Sequence, residues 1–340
     1  MSSVMQHDVS LSAHTTLQVG GPADYFVAVH TVEGLKQALH FAKQNAVPVY
    51  VLGGGSNILF PDDGFRGLVI KNCIPGIVYT QQESDTTLVC GAGENWDDVV
   101  ADTVEKKYWG LENLSLIPGT VGATPIQNVG AYGVEVAELI TAVACVHKET
   151  LQEKVFSAAE CQFGYRDSYF KSTAGRDWIV THVTFTVSAS PQPKLEYKDI
   201  MHLQGVENIS SQIIRDAIVQ VRTKKFPDWE RVGTAGSFFK NPIIPEAASV
   251  ALVQKYPELP TFPAGPGECK VLLGWILDKA LHLKGYKKDN VRLFENQALV
   301  LVNEGGSSQA IESFYLSIQK IVFEETGITI EPEVQIVKNK

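Results

Sequence analysis

The sequence predicts an α+β protein with two parts, divided near residue 195. Strand and helix patterns alternate over the first 70 residues, and β-rich segments then dominate from Ile77 to Val187. The composition changes at Ser190–Lys194, a segment with two prolines that is typical of a linker, and amphipathic helices follow it. At roughly 150 residues per domain, a chain of 340 residues suggests two domains or three small ones.

The individual elements follow from apolar spacing and from β-rich composition. Four segments are predicted to be helices: Glu33–Asn45, Trp96–Lys107, Ser210–Arg222 and Ser308–Glu325. Gly327 follows the last of them and is suited to end it. Strands are predicted at Tyr25–Val29, Val47–Leu52, Phe65–Ile70, Thr87–Cys90, Ala142–His147, Lys154–Phe156, Trp178–Val187 and Ile328–Val337.

Composition and charge argue against several classes of protein. The 29 Lys and Arg residues against 38 Asp and Glu give a net charge of −9, so no basic stripe is available for nucleic acid. The apolar stretches are shorter than the ~20 residues of a membrane span, and Met1–Asp8 lacks the features of a signal peptide. The five scattered cysteines form no C-x-x-C pair, which predicts reduced thiols in a cytoplasmic protein and no metal site.

The densest glycine cluster directly follows the predicted strand Val47–Leu52 and consists of Gly53, Gly54, Gly55, Ser56 and Asn57. Consecutive glycines let backbone N–H groups approach an anion closely. The segment has no Gly-Lys-Ser/Thr of a P-loop, and Ile58 replaces the last glycine of a nucleophile elbow. The residues alone leave a phosphate-binding turn and a simple tight turn equally open.

Two further glycine clusters lead to different interpretations. Gly91–Trp96 resembles a dinucleotide fingerprint, but Trp96 stands at the third glycine, so a strand-to-helix turn is the better interpretation. The segment Ser115–Gly133 holds two prolines and four glycines. Its length predicts a functional loop against which a planar or phosphorylated ligand lies, with an ordinary Ω-loop as the alternative.

Together, these segments and several others resemble the UDP-N-acetylenolpyruvoylglucosamine reductase family. The matching segments keep the family's order and are Gly53–Asn57, Gly91–Asn95, Gly110–Asn113, Ile117–Gly119, Pro125–Asn128 with Gly130–Gly133, Phe163–Ser168, Gly236–Pro242 and Glu331–Glu333. The resemblance implies a two-subdomain FAD-binding module of the vanillyl-alcohol-oxidase (PCMH) type and a C-terminal α+β substrate-binding domain. It implies subdomain 1 at residues 1–70, subdomain 2 at 71–195 and the substrate domain at 196–327, with a strand at 328–340 packing back on subdomain 1.

The resemblance also implies a reaction and its cofactors. The enzyme would use NADPH and FAD to reduce the enolpyruvyl ether of UDP-N-acetylglucosamine-enolpyruvate to UDP-N-acetylmuramate, in the synthesis of peptidoglycan. FAD would be bound non-covalently, because the Gly53–Asn57 turn offers neither His nor Cys for attachment. We expect a cytoplasmic monomer. The implied FAD contacts are Gly53, Gly54, Gly55, Ser56, Asn57, Ser115, Ile117, Pro118, Gly119, Thr120, Gly122, Ala123, Gly130, Ala131 and Tyr132.

Three residues match the catalytic positions of the family. Arg166 would bind the substrate carboxylate, since a guanidinium forms a bidentate fork with it. Ser237 would donate the proton, and Glu331 would stabilise the intermediate. Alternation places Glu331 and Glu333 on one face of the predicted strand, so periodicity does not choose between them; the motif position selects Glu331.

The resemblance assigns substrate contacts as well, to Tyr197, Lys225, Asn241 and Gln297. One structural type of the family carries an extra loop with a tyrosine over the substrate. Phe262 occupies that position here and lacks the hydroxyl group, and Tyr256 is the alternative.

Two rival functions remain open at this point. The first is an FAD-dependent oxidase that uses oxygen, and the second is a non-catalytic flavin- or nucleotide-binding protein. The presence of Arg166, Ser237 and Glu331 together argues against both, because neither rival needs all three.

Overall fold

The computed structural model describes residues 4–82 and 85–339, and these residues form two compact units. Unit 1 contains the described chain up to Val9, together with Ala23–Gly55 and Phe65–Arg222. Unit 2 contains Ser10–Pro22, Ser56–Gly64 and the chain from Thr223 onward. Within the described part of the chain, no helix combines the length and the apolar character needed to cross a bilayer.

The described residues form both α-helices and strands, with long runs of strands between the helices, as in an α+β fold. The helices are α1 (Val32–Gln44), α2 (Trp96–Glu105), α3 (Thr124–Gln127), α4 (Ser211–Lys225), α5 (Glu246–Lys255), α6 (Leu273–Trp275, continued by a π-helical turn over Ile276–Ala280) and α7 (Ser308–Thr326). The strands are β1 (Gln6–Ser10), β2 (Pro22–Val29), β3 (Val49–Leu52), β4 (Ile58–Leu59), β5 (Phe65–Asn72), β6 (Ile77–Gln81), β7 (Asp85–Gly91), β8 (Gly130–Ala131), β9 (Val134–Glu135), β10 (Ile140–His147), β11 (Glu153–Ser157), β12 (Trp178–Ser188), β13 (Gly233–Ser237), β14 (Ile243–Pro245), β15 (Thr261–Gly265), β16 (Glu268–Val271), β17 (Lys287–Lys288), β18 (Val291–Leu293), β19 (Val300–Asn303) and β20 (Gln335–Ile336).

The first sheet of unit 1 has the strand order β1-β2-β5-β3. Strand β5 pairs in parallel with both β2 and β3, and helix α1 connects these two neighbours of β5. Thr31 begins the helix, because its side chain accepts a hydrogen bond from the Gly34 N–H at 3.0 Å. Leu35 and Leu39 of α1 are buried with Leu68 and Ile70 of β5, so the amphipathic face predicted from the sequence forms this core.

The second sheet of unit 1 is antiparallel, with the order β11-β10-β12-β7-β6. Helix α2 follows β7 and begins at Trp96, with Asn95 accepting hydrogen bonds from two amides of its first turn. A Cβ on Gly93 would lie 2.3 Å from the backbone carbon of Cys73, which explains why a glycine stands there. The prediction of a strand-to-helix turn at Gly91–Trp96 is therefore confirmed.

Helix α4 packs within unit 1. Its residues Ile214 and Ile218 are buried in one cluster with Trp109, Leu195 and Ile200. Unit 1 consequently continues beyond the predicted linker. The division into three domains taken from the resemblance stays a prediction.

Unit 2 combines a sheet of order β13-β19-β18-β17, a small sheet of order β14-β16-β15 and the parallel pair β20-β4. Helix α7 contributes Ile311, Phe314 and Ile318 to a core that also contains Leu17 and Leu59. Asp62 accepts hydrogen bonds from the first two amide groups of α7, at 2.8 and 3.0 Å. All four helices predicted from the sequence are thus confirmed, with ends that shift by less than one turn.

The predicted strand Ile328–Val337 is wrong in its extent. Only Gln335–Ile336 forms a strand, and Pro332 makes an isolated bridge with Phe239. The predicted alternation is real, since Ile328, Ile330 and Val334 are buried, but it reflects packing on the core of unit 2. The segment changes partner along its length, because residues 331–333 bond to Phe238 and Lys240 whereas the Gln335 N–H donates to the Asn57 carbonyl, so no single ladder runs through it.

Candidate active site

Two of the glycine loops meet within unit 1. A Cβ on Gly53 would lie 2.5 Å from Thr120 Oγ1, and a Cβ on Gly54 would lie 2.7 Å from Gly119 Cα. Gly55 has a φ of +68°, a conformation that favours glycine. Glycine is therefore needed here for close approach at two positions and for backbone conformation at the third.

The contact between these loops suits an anionic group. Thr120 Oγ1 is buried and has no hydrogen-bond partner among the described residues. A buried hydroxyl without a partner is unfavourable, and a ligand oxygen beside Gly53 and Gly54 would accept its proton. The glycines also leave backbone N–H groups accessible to phosphate. The residues present thus fit the diphosphate of FAD.

Backbone hydrogen bonds hold the loop Ser115–Ala123 against the turn between β7 and α2. The Gly119 carbonyl accepts from the Trp96 N–H at 3.1 Å, and the Gly122 N–H donates to the Ala92 carbonyl at 2.9 Å. Ser115 is completely buried, and its hydroxyl donates to the Glu112 carbonyl at 2.6 Å, so its side chain fixes the loop. Of the other predicted FAD contacts in this loop, Ile117 and Pro118 are half-buried and Ala123 is exposed.

The third predicted FAD segment is the hairpin of β8 and β9, with Tyr132 and Gly133 at its turn. Tyr132 has a φ of +50° and is only 7% exposed, and this burial raises the pKa of its hydroxyl to about 12. Asn113 fixes the turn, since its side-chain amide donates to the Tyr132 carbonyl at 2.8 Å. Tyr197, a predicted substrate contact, meets the Tyr132 ring edge-on with centroids 5.3 Å apart.

Arg166 lies beside the same hairpin. Its guanidinium donates to the Gly130 carbonyl at 2.7 Å. The residue stands in a tight turn with a φ of +54°, closed by hydrogen bonds between Gly164 and Asp167. Asn128 supports this turn by donating to the Gly164 carbonyl at 2.9 Å. The structure therefore brings together two predicted site elements, the catalytic arginine and the Gly130–Tyr132 segment.

In unit 2 the Ser237 segment lies next to the segment that carries both glutamates. Ser237 ends β13, and the residues directly after it pair with 331–333 through the bridge between Phe239 and Pro332. The Lys240 N–H donates to the Glu331 carbonyl at 3.0 Å, and the Glu333 N–H donates to the Phe238 carbonyl at 2.7 Å. The predicted proton donor and the predicted carboxylates thus stand on neighbouring stretches of backbone.

The surroundings of the two glutamates differ. The Glu331 side chain is 74% exposed, and its carboxylate lies 3.9 Å from Lys240 Nζ. Glu333 is only partly exposed, and its carbonyl accepts a hydrogen bond from the Asn57 side chain at 3.2 Å. Glu333 is therefore the less exposed residue of the two.

Two of the predicted substrate contacts of unit 2 gather at the start of α6. Asn241 Oδ1 accepts from the Leu273 N–H at 3.0 Å, and a Cβ on Gly274 would lie 3.4 Å from Gln297 Oε1. Lys225 is the last residue of α4 and is half-buried.

The extra loop presents its aromatic residues differently. Phe262 on β15 is 47% exposed. Tyr256 instead packs edge-on against Trp275, with ring centroids 6.3 Å apart.

Sequence reasoning missed three charged residues beside the loop Ser115–Ala123. Arg215 and Arg222 lie on α4, and Asp97 lies in the first turn of α2. Arg215 donates two hydrogen bonds to the Asp97 carboxylate, at 2.6 and 2.9 Å. Arg222 Nε donates to the Leu116 carbonyl at 3.0 Å. A signal was available, because two arginines stand seven residues apart on a helix predicted to be amphipathic.

Comparison with known proteins finds two family models that match parts of the chain. A model described as "FAD binding domain" matches residues 23–149, and one described as "UDP-N-acetylenolpyruvoylglucosamine reductase, C-terminal domain" matches residues 228–337. The predicted α+β fold class, a PCMH-type FAD-binding module followed by this C-terminal domain, is confirmed.

Relatives match over nearly the whole chain. A UDP-N-acetylenolpyruvoylglucosamine reductase of Chromobacterium violaceum is 38% identical over 343 residues, covering 99% of this chain and 100% of the relative. One of Idiomarina loihiensis is 43% identical over 294 residues, covering 85% of this chain and 86% of the relative. The crystal structure of the reductase of Thermus caldophilus aligns with a TM-score of 0.69 at 25% identity, covering 99% of this chain and 100% of that one. The chain therefore belongs to the UDP-N-acetylenolpyruvoylglucosamine reductase family of FAD-dependent oxidoreductases.

Proposed function

We propose that this enzyme reduces the enolpyruvyl ether of UDP-N-acetylglucosamine-enolpyruvate to UDP-N-acetylmuramate, with NADPH as the electron donor. Membership of the family supports the reaction. The observation that carries the assignment of residues is the pairing of the Ser237 segment with the Glu331–Glu333 segment. A cytoplasmic location, a monomeric state and the three-domain division belong to the same proposal.

FAD would be held by the segments whose geometry fits an anionic, planar ligand. Gly53–Gly55, Thr120 and Gly119 would bind the diphosphate, with Ser56 and Asn57 completing the first turn. The remaining contacts would come from Ser115, Ile117, Pro118, Gly122, Ala123, Gly130, Ala131 and Tyr132. When bound, FAD supplies the hydride chemistry that no side chain can provide.

Arg166 would stabilise the substrate carboxylate as negative charge develops on it. A guanidinium binds a carboxylate through two parallel N–H···O bonds and stays charged at every pH of interest. The hydrogen bond to the Gly130 carbonyl supports this role, because it fixes the direction of the side chain before substrate arrives.

Ser237 would donate the proton that completes the reduction. A serine hydroxyl is a weak acid, so it needs positive charge nearby and protection from water. Lys240 lies three residues further on and places one positive charge in the same segment. Lys225, Tyr197, Asn241 and Gln297 would bind the diphosphate and the neighbouring groups of the sugar nucleotide.

A glutamate of the Glu331–Glu333 segment would stabilise the intermediate. The motif position selected Glu331, but its carboxylate is largely exposed and faces Lys240. The lower exposure of Glu333 favours Glu333, whereas the backbone hydrogen bonds do not separate the two residues, since both take part in the pairing with Phe238 and Lys240. Variants of both residues separate the two assignments.

The test is an anaerobic comparison of the two half-reactions. The purified enzyme is reduced with NADPH, freed of excess NADPH and mixed with UDP-N-acetylglucosamine-enolpyruvate, while flavin absorbance is followed. We expect rapid reoxidation without oxygen. A flavin that stays reduced until air enters would favour the oxidase alternative.

Variants then assign the roles. Ser237→Ala should be reduced by NADPH at the wild-type rate and should lose most of its turnover, on the order of 100-fold or more, because general acid catalysis is absent. Unchanged turnover would remove Ser237 from the mechanism. Glu331→Gln and Glu333→Gln are compared in the same way, and the variant that slows only the second half-reaction identifies the functional carboxylate.

A further inference from the structure

Leu116 adopts an unusual conformation in the middle of a cofactor loop. Its φ is +57°, in the left-handed region that residues with a side chain rarely occupy. It stands between Ser115 and Ile117, two of the proposed FAD contacts. A strained residue in a ligand-binding loop persists only where its surroundings hold it in place.

The amide side of Leu116 is held by an ion pair. Its N–H donates to Asp97 Oδ1, and both oxygens of that carboxylate also accept hydrogen bonds from Arg215. Burial of Asp97 opposes ionisation, but the hydrogen bonds from Arg215 and from Leu116 outweigh it and keep the pKa of Asp97 below its usual value. The amide of Leu116 therefore meets a charged acceptor, which makes a stronger bond than a neutral one.

The carbonyl side of Leu116 is held by a second arginine. Arg222 Nε donates to the Leu116 carbonyl at 3.0 Å, and its guanidinium is also hydrogen-bonded to the Tyr132 hydroxyl. Arg222 is only 9% exposed. Burial of a guanidinium is unfavourable unless its N–H groups are paired, so this placement needs compensating contacts of this kind.

We propose that Asp97, Arg215 and Arg222 form a clamp on the peptide groups of Leu116 that positions the loop Ser115–Ala123 for FAD. The inference rests on the proposed role of that loop in cofactor binding. The three residues are positioning residues, because they act through the loop backbone.

The clamp holds the amide and the carbonyl of Leu116 at the same time. Without it, Leu116 relaxes towards negative φ and shifts Gly119 and Thr120 away from Gly53 and Gly54. Helix α2 keeps its start under this change, since Asn95 caps it independently. The loss should therefore fall on FAD binding more than on the stability of the fold.

The experiment measures the FAD dissociation constant of apo-protein by fluorescence titration, together with the thermal unfolding of the apo-protein. Asp97→Ala is compared with Asp98→Ala, which removes the same charge from the next residue, an exposed one, of the same helical turn. We expect Asp97→Ala to weaken FAD binding on the order of tenfold, because the loop loses the charge-assisted hydrogen bond at the Leu116 amide, in addition to the two bonds between Asp97 and Arg215. Asp98→Ala should stay within about twofold of wild type, and Asp97→Asn, which keeps an acceptor oxygen, should lose less than Asp97→Ala.

A second background tests the strain directly. Glycine adopts the left-handed conformation without strain, so Asp97→Ala should weaken FAD binding less in Leu116→Gly than in the wild type. Wild-type FAD affinity in Asp97→Ala would refute the clamp, and so would a loss fully explained by lower apo-protein stability. Absence of FAD binding by the wild-type protein would instead refute the proposed function, and the clamp with it.

Discussion

Replacing Gly54 by alanine tests the contact between the two glycine loops on which cofactor binding depends. The backbone of Gly54 lies outside the left-handed region, so alanine is allowed there by conformation. The added methyl group would lie 2.7 Å from Gly119 Cα and 3.1 Å from the Gly119 carbonyl carbon. Both contacts are with backbone, which cannot rotate away as a side chain can.

The size of the effect follows from these distances. Carbon atoms pack at about 3.5 Å or more, so the loops must separate by roughly 0.8 Å. Overpacking of this kind costs about 1–3 kcal/mol. Because the displaced loop is the proposed binding surface for the FAD diphosphate, we expect FAD affinity to fall roughly 5- to 150-fold.

The assay is FAD titration of the apo-protein, with thermal unfolding measured in parallel. Gly265→Ala serves as the control, since its methyl group would lie 3.4 Å from the flexible Glu268 carboxylate, an ordinary contact. Wild-type FAD affinity and wild-type stability in Gly54→Ala would refute the reasoning, because the loops could then not be in contact.

Three further predictions concern stability. Asp62→Ala should lower the free energy of unfolding by about 1–2 kcal/mol in urea titration, because the first two amides of helix α7 lose their acceptor while Ser307 still accepts from the third. Asp63→Ala removes the same charge from the next position, where the carboxylate accepts from Asn339 and not from α7, so it should cost less; equal effects would contradict the capping role. The lowered pKa of Asp97 means that its stabilisation is present above the unfolded-state value of about 3.9 and is lost as the pH falls through the lower folded-state value. Wild type and Asp97→Asn should therefore converge in acid unfolding experiments, and a difference independent of pH would count against this account. Ile218→Ala should cost about 2–4 kcal/mol in urea titration, because Ile218 is fully buried in unit 1, and a change below about 1 kcal/mol would show that α4 is not part of that core.

The helices could be predicted because their signals are local. Helical spacing of apolar residues, caps such as Thr31 and Asn95, and the C-terminal Gly327 all lie within or beside the element that they define. The C-terminal strand could not be predicted in the same way, because alternating burial arises from core packing as well as from a sheet. Only the partner strand decides, and here the partner changes from residues 238–240 to residues 57–59 within a few positions.

The site was predictable only where a motif carried it. The phosphate-binding interpretation of Gly53–Asn57 came from three glycines in a row, whereas its partner at Gly119–Thr120 became apparent through the family resemblance. Arg215 and Asp97 are 118 residues apart, and nothing local to either one indicates that they pair. Contacts between residues so far apart in the chain depend on the whole fold. A single sequence does not show which distant residues meet.

The composition of unit 2 has a consequence for biosynthesis. Its core contains Leu17 and Leu59 together with Phe314 of α7, so residues made early and late in synthesis are joined in one cluster. At roughly 5–20 residues per second, a ribosome needs on the order of tens of seconds to make the chain between Leu17 and α7. From the synthesis of Arg222 onward, unit 1 has all of its own residues, while Leu17 and Leu59 still lack their packing partners on α7.

The nascent chain therefore presents apolar side chains next to a part that is able to fold, which is the situation in which chaperones act. For the same reason, a fragment starting at Thr223 would lack the strand partner Ile58–Leu59 and the helix cap Asp62. Unit 2 can thus assemble only when the whole chain has been made. Cutting the chain before Thr223 does not release unit 2 as an independent domain.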